Sequence, residues 1–263
     1  MRTENCNRKL AARPRDFSTR SVPLREFSLP GTGEIHAWYL DLGELAASLQ
    51  AVLDGPQDST DKPSFTSGQL RFARRFFLRL LLGSYLGLPG KSVKIIRSLR
   101  GKPVLDPVVH GNPLQFSMAK SADRLLVGIS SSGQIGVDLE PEGRQAHNAM
   151  GVARRYFSTA EAEALQAMPA DRLNRAFLYT WACKEAVVKA SGKGIANELC
   201  RFTVDVDPDR PAAILDFDHG QAAEWSLALL QPESGYLGAV AAHHREIKLL
   251  AFRLRPAGHE KQS

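Results

Sequence analysis

QIGVDLEPE (Gln134–Glu142) and FLYTWACKEAVVKASGKG (Phe177–Gly194) are the two stretches whose reading decides the fold. The first has the form of a strand. Gly136 and Val137 suit a buried segment, and the period-two alternation of a strand sends Asp138 and Glu140 to the same side. These acids close the C-terminal end of the strand, where α/β folds tend to place ligands. The second stretch is helical and stops at Gly192 and Gly194, residues suited to helix termination. Glu185 and Lys189 share one of its faces. Taken singly, each pattern has a plain reading: an isolated Asp-x-Glu marks a polar strand side, and a Glu–Lys pair four apart is surface decoration worth about 0.3–0.5 kcal/mol.

Outward from these stretches, strands and helices alternate in blocks. Glu34–Leu42 (EIHAWYLDL) has the composition of a first strand. Asp54–Ser67 is rich in Pro, Asp, Ser and Thr and predicts a loop, after which Gln69–Leu86 carries apolar residues at helical spacing and ends near Gly87. The other face of that helix bears Arg71, Arg74, Arg75 and Arg79. KSVKII is a short strand candidate, RGKP (Arg100–Pro103) a turn, and the chain to Pro113 a Pro- and Gly-rich connection. Strands are predicted over Leu114–Met118, Arg124–Ile129 and Gln134–Glu140. A helical block over Ala149–Met168 is split near Ser158, where Ser158-Thr159-Ala160-Glu161 forms a capping box. A further helix covers Arg172–Ala190. Strand-like alternation returns in RFTVDVD, WSLALL, YLGAVAA and IKLLAF. The fold class is therefore α/β (α+β), with strand, helix and strand blocks occurring twice and a break between two halves near Ser130–Gly133.

The bulk properties bound the function. With 263 residues, 43% hydrophobic and 24% charged, the chain is an ordinary globular sequence. A net charge of +6 favours anionic partners without choosing among nucleic acid, phosphorylated cofactor and acidic protein. Much of the surplus lies in residues 1–33, where Arg2, Arg8, Lys9, Arg13, Arg15, Arg20 and Arg25 surround Pro14 and Pro23; a disordered basic leader is expected. No apolar core follows it, so it does not resemble a targeting peptide, and the cytoplasm is the expected compartment. Cys6, Cys183 and Cys200 have neither metal nor redox spacing. No apolar run reaches the roughly 18 residues of a membrane span.

The two opening stretches together resemble the signature of the 4'-phosphopantetheinyl transferase superfamily, in its surfactin-synthetase-activating type. That signature couples a G-[IV]-D-x-E strand to a W-x-x-K-E-A-x-x-K helix. Here these are Gly136-Val137-Asp138-Leu139-Glu140 and Trp181-Ala182-Cys183-Lys184-Glu185-Ala186-Val187-Val188-Lys189, bridged by Tyr156-Phe157-Ser158 and Glu161. The resemblance extends upstream to Arg75-Phe76-Phe77-Leu78-Arg79 and Gly101-Lys102-Pro103, and covers most of Glu34–Leu254. It implies two similar α/β halves related by a pseudo-twofold axis, with coenzyme A in the cleft between them. The corresponding divisions are residues 34–132 and 133–255, the second carrying the metal site, followed by a tail over 256–263.

The resemblance further implies transfer of the 4'-phosphopantetheine group of coenzyme A to a serine of an apo acyl or peptidyl carrier protein, releasing 3',5'-ADP. Asp138, Glu140 and Glu185 would hold Mg²⁺, or Mn²⁺ in its place; a hard ion of this kind is usually held by one or two carboxylates, waters and substrate phosphate. Glu185 would deprotonate the serine and Lys189 assist the departing 3',5'-ADP. Arg75, Lys102, Lys184 and Lys189 would bind coenzyme A phosphates or line the cleft, with Trp181 packing the helix.

One motif departs: where the family commonly has F-N-x-S-H-S, this chain has Phe116-Ser117-Met118-Ala119-Lys120-Ser121. Phe116, Lys120 and Ser121 are the expected cofactor-binding residues there, Lys120 replacing a histidine as a point charge for the 3'-phosphate. This departure feeds an alternative, a family member that binds coenzyme A or a carrier without turnover, against which the intact acids and KEA residues argue. Nucleic-acid binding lacks a recognised motif or aromatic platform. The expected protein is a monomer serving fatty acid, polyketide or nonribosomal peptide biosynthesis.

Overall fold

The computed structural model describes residues 13, 16–54, 65–194, 198–218 and 220–257. Strand β1 (Phe17–Ser21) precedes β2 (Glu34–Asp41), α1 (Leu42–Asp54) and α2 (Ser67–Leu86). A hairpin of β3 (Ile95–Arg97) and β4 (Pro103–Leu105) leads to the single turn α3 (Pro107–His110) and to β5 (Gln115–Ser121), β6 (Arg124–Ser130) and β7 (Ile135–Pro141). Three helices follow, α4 (Ala149–Tyr156), α5 (Thr159–Gln166) and α6 (Ala170–Ser191). The chain closes with β8 (Phe202–Val204), β9 (Ile214–Phe217), β10 (Ser226–Leu230), β11 (Tyr236–Ala242) and β12 (Lys248–Arg255).

The strands form a five-stranded sheet in the order β1-β12-β2-β6-β5, a three-stranded sheet β10-β11-β7, and two small hairpins. Both larger sheets bury both faces. Trp38, Leu40, Leu125 and Val127 pack with Phe77, Leu81 and Leu82 of α2. From the opposite face Ile35, Ala37, Tyr39 and Leu126 meet Val137, Leu139 and Val240 of the second sheet. The far face of that sheet offers Leu229, Ala239 and Ala241 to Tyr179, Cys183 and Ala186 of α6. Two-sided burial accounts for the unbroken apolar character of β2, whose residues from Ile35 to Leu40 are all buried.

Helix ends follow their local chemistry. Thr66 and Gln69 close a capping box on α2, Ser158 and Glu161 close another on α5, and Gly192, at φ 65°, turns the chain out of α6. The α6–β7 contact depends on Gly136. A Cβ there would lie 1.9 Å from the Ala186 carbonyl oxygen and 2.3 Å from the Ala190 nitrogen, both backbone atoms of α6. Gly136→Ala is expected to push helix and strand apart and to lower the urea-unfolding free energy by about 1–3 kcal/mol or more.

The mixed α/β class is as expected, and three expectations need correction. The second part of the supposed leader is structured: β1 pairs in parallel with β12 from Phe17↔Ala251 to Ser21↔Arg255, while residues 1–12, 14 and 15 lie outside the described residues. β12 was assigned to the second half, yet it lies between β1 and β2, pairing in parallel with β2 from Lys248↔Glu34. The segment KSVKII is a strand only in its last residues, because Gly90–Ser92 form a 3₁₀ turn packed against α2. The expected loop over 55–64 and the tail over 258–263 lie outside the described residues.

Candidate active site

Asp138 lies on the side of β7 that faces α6. In register with β11, Asp138 pairs with Ala239 and Glu140 with Leu237, so both acids share the face that α6 covers. From α6, Lys189 reaches across and places Nζ 2.6 Å from Asp138 Oδ1 and 4.0 Å from Glu185 Oε2. Glu140 accepts a hydrogen bond from Arg144 Nη1 at 2.6 Å. Asp138, Glu185 and Lys189 thus meet from two elements, and Glu140 lies on the same side of β7 as Asp138.

The electrostatics are those of acids crowded in a dry place. Burial raises the Asp138 carboxyl above its ordinary value, outweighing the pull of Lys189. Glu140 is likewise raised, by burial first, with Arg144 opposing and Asp138 adding to the rise. Glu185 is pushed up to about 6 by burial, against Lys189 and with Asp138 and Glu140. Each carboxylate therefore gains from added positive charge. Among the described residues no three His, Cys, Asp or Glu side chains are already gathered at metal-holding distance, and the Lys189 ammonium is the counter-charge between Asp138 and Glu185. Asp138 Oδ2 is nonetheless buried without a hydrogen-bond partner among the described residues. An orphaned carboxylate oxygen among three hard-oxygen acids fits a divalent cation of the Mg²⁺ type.

Arg144, the partner of Glu140, also lines a hollow of about 220 Å³ whose wall includes Asn148, Phe177 and Trp181. Trp181 also stacks on Phe177 at 6.2 Å between ring centroids, so it packs the helix, as expected, while lining the hollow. Arg144 was not anticipated. It follows Glu140 by four residues outside any helix, so no periodicity announces the contact.

Other expected ligand residues are placed differently. Lys184 is 0% exposed, and its amine donates at 2.7 Å to both oxygens of Glu161 and to the Phe202 carbonyl. All three donors are used, so the expected phosphate contact of Lys184 is corrected to a buried ion pair joining α6, α5 and β8. Adjacent positions differ by about 100° around a helix, which turns Lys184 away from the face that Glu185 shares with Lys189. Phe116 is likewise corrected: it is a core residue packed with Leu114 and Ile129. Lys102 directs its amine at two backbone carbonyls, Ile135 at 2.9 Å and Lys189 at 2.8 Å, instead of outward to a phosphate. Lys120 is exposed and Ser121 half-buried at the end of β5. Arg75 is exposed on α2, in a group of guanidinium ions: Arg74 is held below its ordinary value by burial and then by Arg71, Arg75 and Arg97.

A family model described as the 4'-phosphopantetheinyl transferase superfamily matches residues 134–241, the segment that contains β7 and α6. The 4'-phosphopantetheinyl transferase HetI of Nostoc sp. is 33% identical over 213 residues, spanning 79% of this chain and 87% of that protein. The chain belongs to the 4'-phosphopantetheinyl transferase superfamily. Similarity extends to the 4'-phosphopantetheinyl transferase psf-1 of Bacillus pumilus, 30% identical over 54% of this chain and 58% of that protein. The human L-aminoadipate-semialdehyde dehydrogenase-phosphopantetheinyl transferase is 24% identical over 80% of this chain and 71% of that protein. The match to HetI, 213 residues long, extends beyond the 108 residues that the family model covers in this transferase. Among its described residues no helix is long and apolar enough to cross a membrane.

Proposed function

We propose that this transferase moves the 4'-phosphopantetheine group of coenzyme A onto a serine hydroxyl of an apo acyl or peptidyl carrier protein, releasing 3',5'-ADP. The observation that carries the reading is the meeting of Asp138, Glu185 and Lys189 across the β7–α6 contact, with Asp138 Oδ2 lacking a partner among the described residues. In the reaction the serine oxygen forms a bond to the β-phosphorus, the pyrophosphate P–O bond breaks, and one proton leaves the serine. Asp138, Glu140 and Glu185 would hold Mg²⁺, which supplies charge neutralisation for the pyrophosphate. Glu185, its carboxyl raised to about 6, is ionised near neutral pH and still basic enough to accept the serine proton. Lys189 holds an ammonium beside Asp138 and is placed to pair with the phosphate charge that develops on 3',5'-ADP. Arg75, Lys120 and Ser121 remain the proposed contacts for the anionic end of coenzyme A; Arg74, held low by burial and then by Arg71, Arg75 and Arg97, lies in a group of cations whose repulsion a bound anion would relieve.

A net charge of +6 suits encounter with acidic carrier domains. The reading places the protein in the cytoplasm as a monomer. Its test is incubation with coenzyme A, Mg²⁺ and apo-carriers of the acyl and peptidyl kinds, followed by intact mass. The expected result is a phosphopantetheine adduct on the carrier that disappears when a chelator removes the divalent ion. Absence of the adduct with every carrier, despite coenzyme A binding, would sink the reading.

A further inference from the structure

The β3–β4 hairpin reaches the end of α6 and delivers two cations there. Its turn is closed by backbone hydrogen bonds, Ser98 N to Lys102 O at 2.9 Å and Gly101 N to Ser98 O at 2.8 Å. Arg100 Nη1 approaches the Gly192 carbonyl at 3.5 Å, and Lys102 Nζ donates to the Lys189 carbonyl at 2.8 Å. The last four carbonyls of a helix have no intrahelical donor and carry the negative end of the dipole. α6 ends at Ser191, so the Lys189 carbonyl is one of these. The same Lys102 amine donates at 2.9 Å to the carbonyl of Ile135, the first residue of β7.

One amine therefore ties together the two backbone segments that bear the acids and Lys189. Ile135 precedes Asp138 by three residues, and the Lys189 whose carbonyl is held is the residue whose side chain meets Asp138. Between the two tied points lies Gly136, where α6 already touches strand backbone. Burial pulls the Lys102 amine down to about 8, as befits a group enclosed by protein.

We infer that Lys102 is a positioning residue, which fixes the C-terminal turn of α6 on the start of β7 and so holds Lys189 and Glu185 against Asp138, and that it is not a ligand for coenzyme A phosphate. This deepens the proposed transferase reaction and rests on it for its kinetic consequence. The structural part stands separately, and the test keeps the two apart.

In Lys102→Met, which retains length and loses the donors, kcat is expected to fall about 10–100-fold, the usual cost of losing a supporting group. The KM for coenzyme A is expected to change less than about threefold, since no ground-state contact is removed. Lys102→Arg, which keeps a charged donor, is expected to recover part of kcat. A raised KM with kcat retained, or no change in either, overturns the inference. Wild-type protein supplies a second readout that needs neither turnover nor a stable variant: treatment with an amine-acetylating reagent, with and without 3',5'-ADP, followed by peptide mass mapping. Lys102 is expected to label more slowly than exposed Lys120 in the free protein, at a rate that 3',5'-ADP leaves unchanged. Ready labelling of Lys102 in the free protein, or protection by 3',5'-ADP, overturns the inference even if Lys102→Met does not fold. If no carrier is modified by wild type, the proposed reaction fails while the labelling result still decides the role of Lys102.

Discussion

Glu185→Gln is expected to lower kcat/KM for carrier modification by about 10²–10⁴-fold, the usual worth of a positioned proton acceptor. The substitution keeps the shape of the side chain and removes its basicity. Its pH dependence follows from the crowding around the carboxyl. With its folded value near 6 and an ordinary value of 4.5, Glu185 gains protons as the pH falls through 6, and wild-type activity should fall with it. Raising Mg²⁺ should move this acid limb to lower pH, because added positive charge favours the carboxylate. Stability moves the other way. A carboxyl raised on folding contributes stability that is fully present below 4.5 and is lost as the pH rises through about 6. At pH 7 the metal-free Glu185→Gln variant should therefore be more stable than wild type by about 2 kcal/mol, a difference that shrinks towards pH 4. Urea unfolding at the two pH values checks this. A variant both less stable and fully active would remove Glu185 from the chemistry.

Lys184→Met is expected to destabilise the fold by about 3–5 kcal/mol, because it leaves Glu161 buried without its counter-ion. Both side chains are 0% exposed. Glu161 also accepts from the Val204 backbone nitrogen at 2.7 Å and from that of Ser158 at 2.9 Å, so the carboxylate cannot turn away without orphaning backbone donors. The Lys184 amine lies 4.1 Å from the Phe202 ring centroid, which adds a cation–π contact. The double variant Lys184→Met/Glu161→Gln should recover much of the loss, since buried pairs replaced together are often nearly neutral. A phosphate ligand would behave differently: Lys184→Met would then raise the KM for coenzyme A at unchanged stability. Urea titrations of the four proteins in the cycle decide between the two.

The parts of this fold governed by near neighbours were legible in the sequence. Period two set Asp138 and Glu140 on one side, period 3.6 set Glu185 and Lys189 on one face, and the Ser158–Glu161 box marked the start of α5. What was hidden depended on partners remote in the chain. β1 buries only Phe17 fully and shows no alternation, since its partner is β12, some 230 residues later in sequence, and its pattern reflects an edge position. α1 is a different case: its start was legible in Asp41, whose carboxylate accepts from the Glu44 backbone nitrogen at 2.9 Å, and the strand-like composition of Glu34–Leu42 masked it. The two misplaced lysines are instructive in different ways. For Lys184 the angular offset from Glu185 was already a signal that it faces elsewhere. For Lys102 nothing local says that its amine meets carbonyls of two other elements, because those carbonyls come together only when α6 docks on β7.

The order β1-β12-β2 has a consequence for how the protein is made. β12, made after every other strand among the described residues, occupies an interior place in the sheet, so β1 lacks its sheet neighbour until Arg255 has been synthesised. Early on, β2, β6 and β5 can assemble as an antiparallel three-stranded sheet, and the β2 edge that β12 later fills is exposed to wrong pairings until then. A chain that stops short of Lys248 would leave both β1 and the flank of β2 without their shared partner.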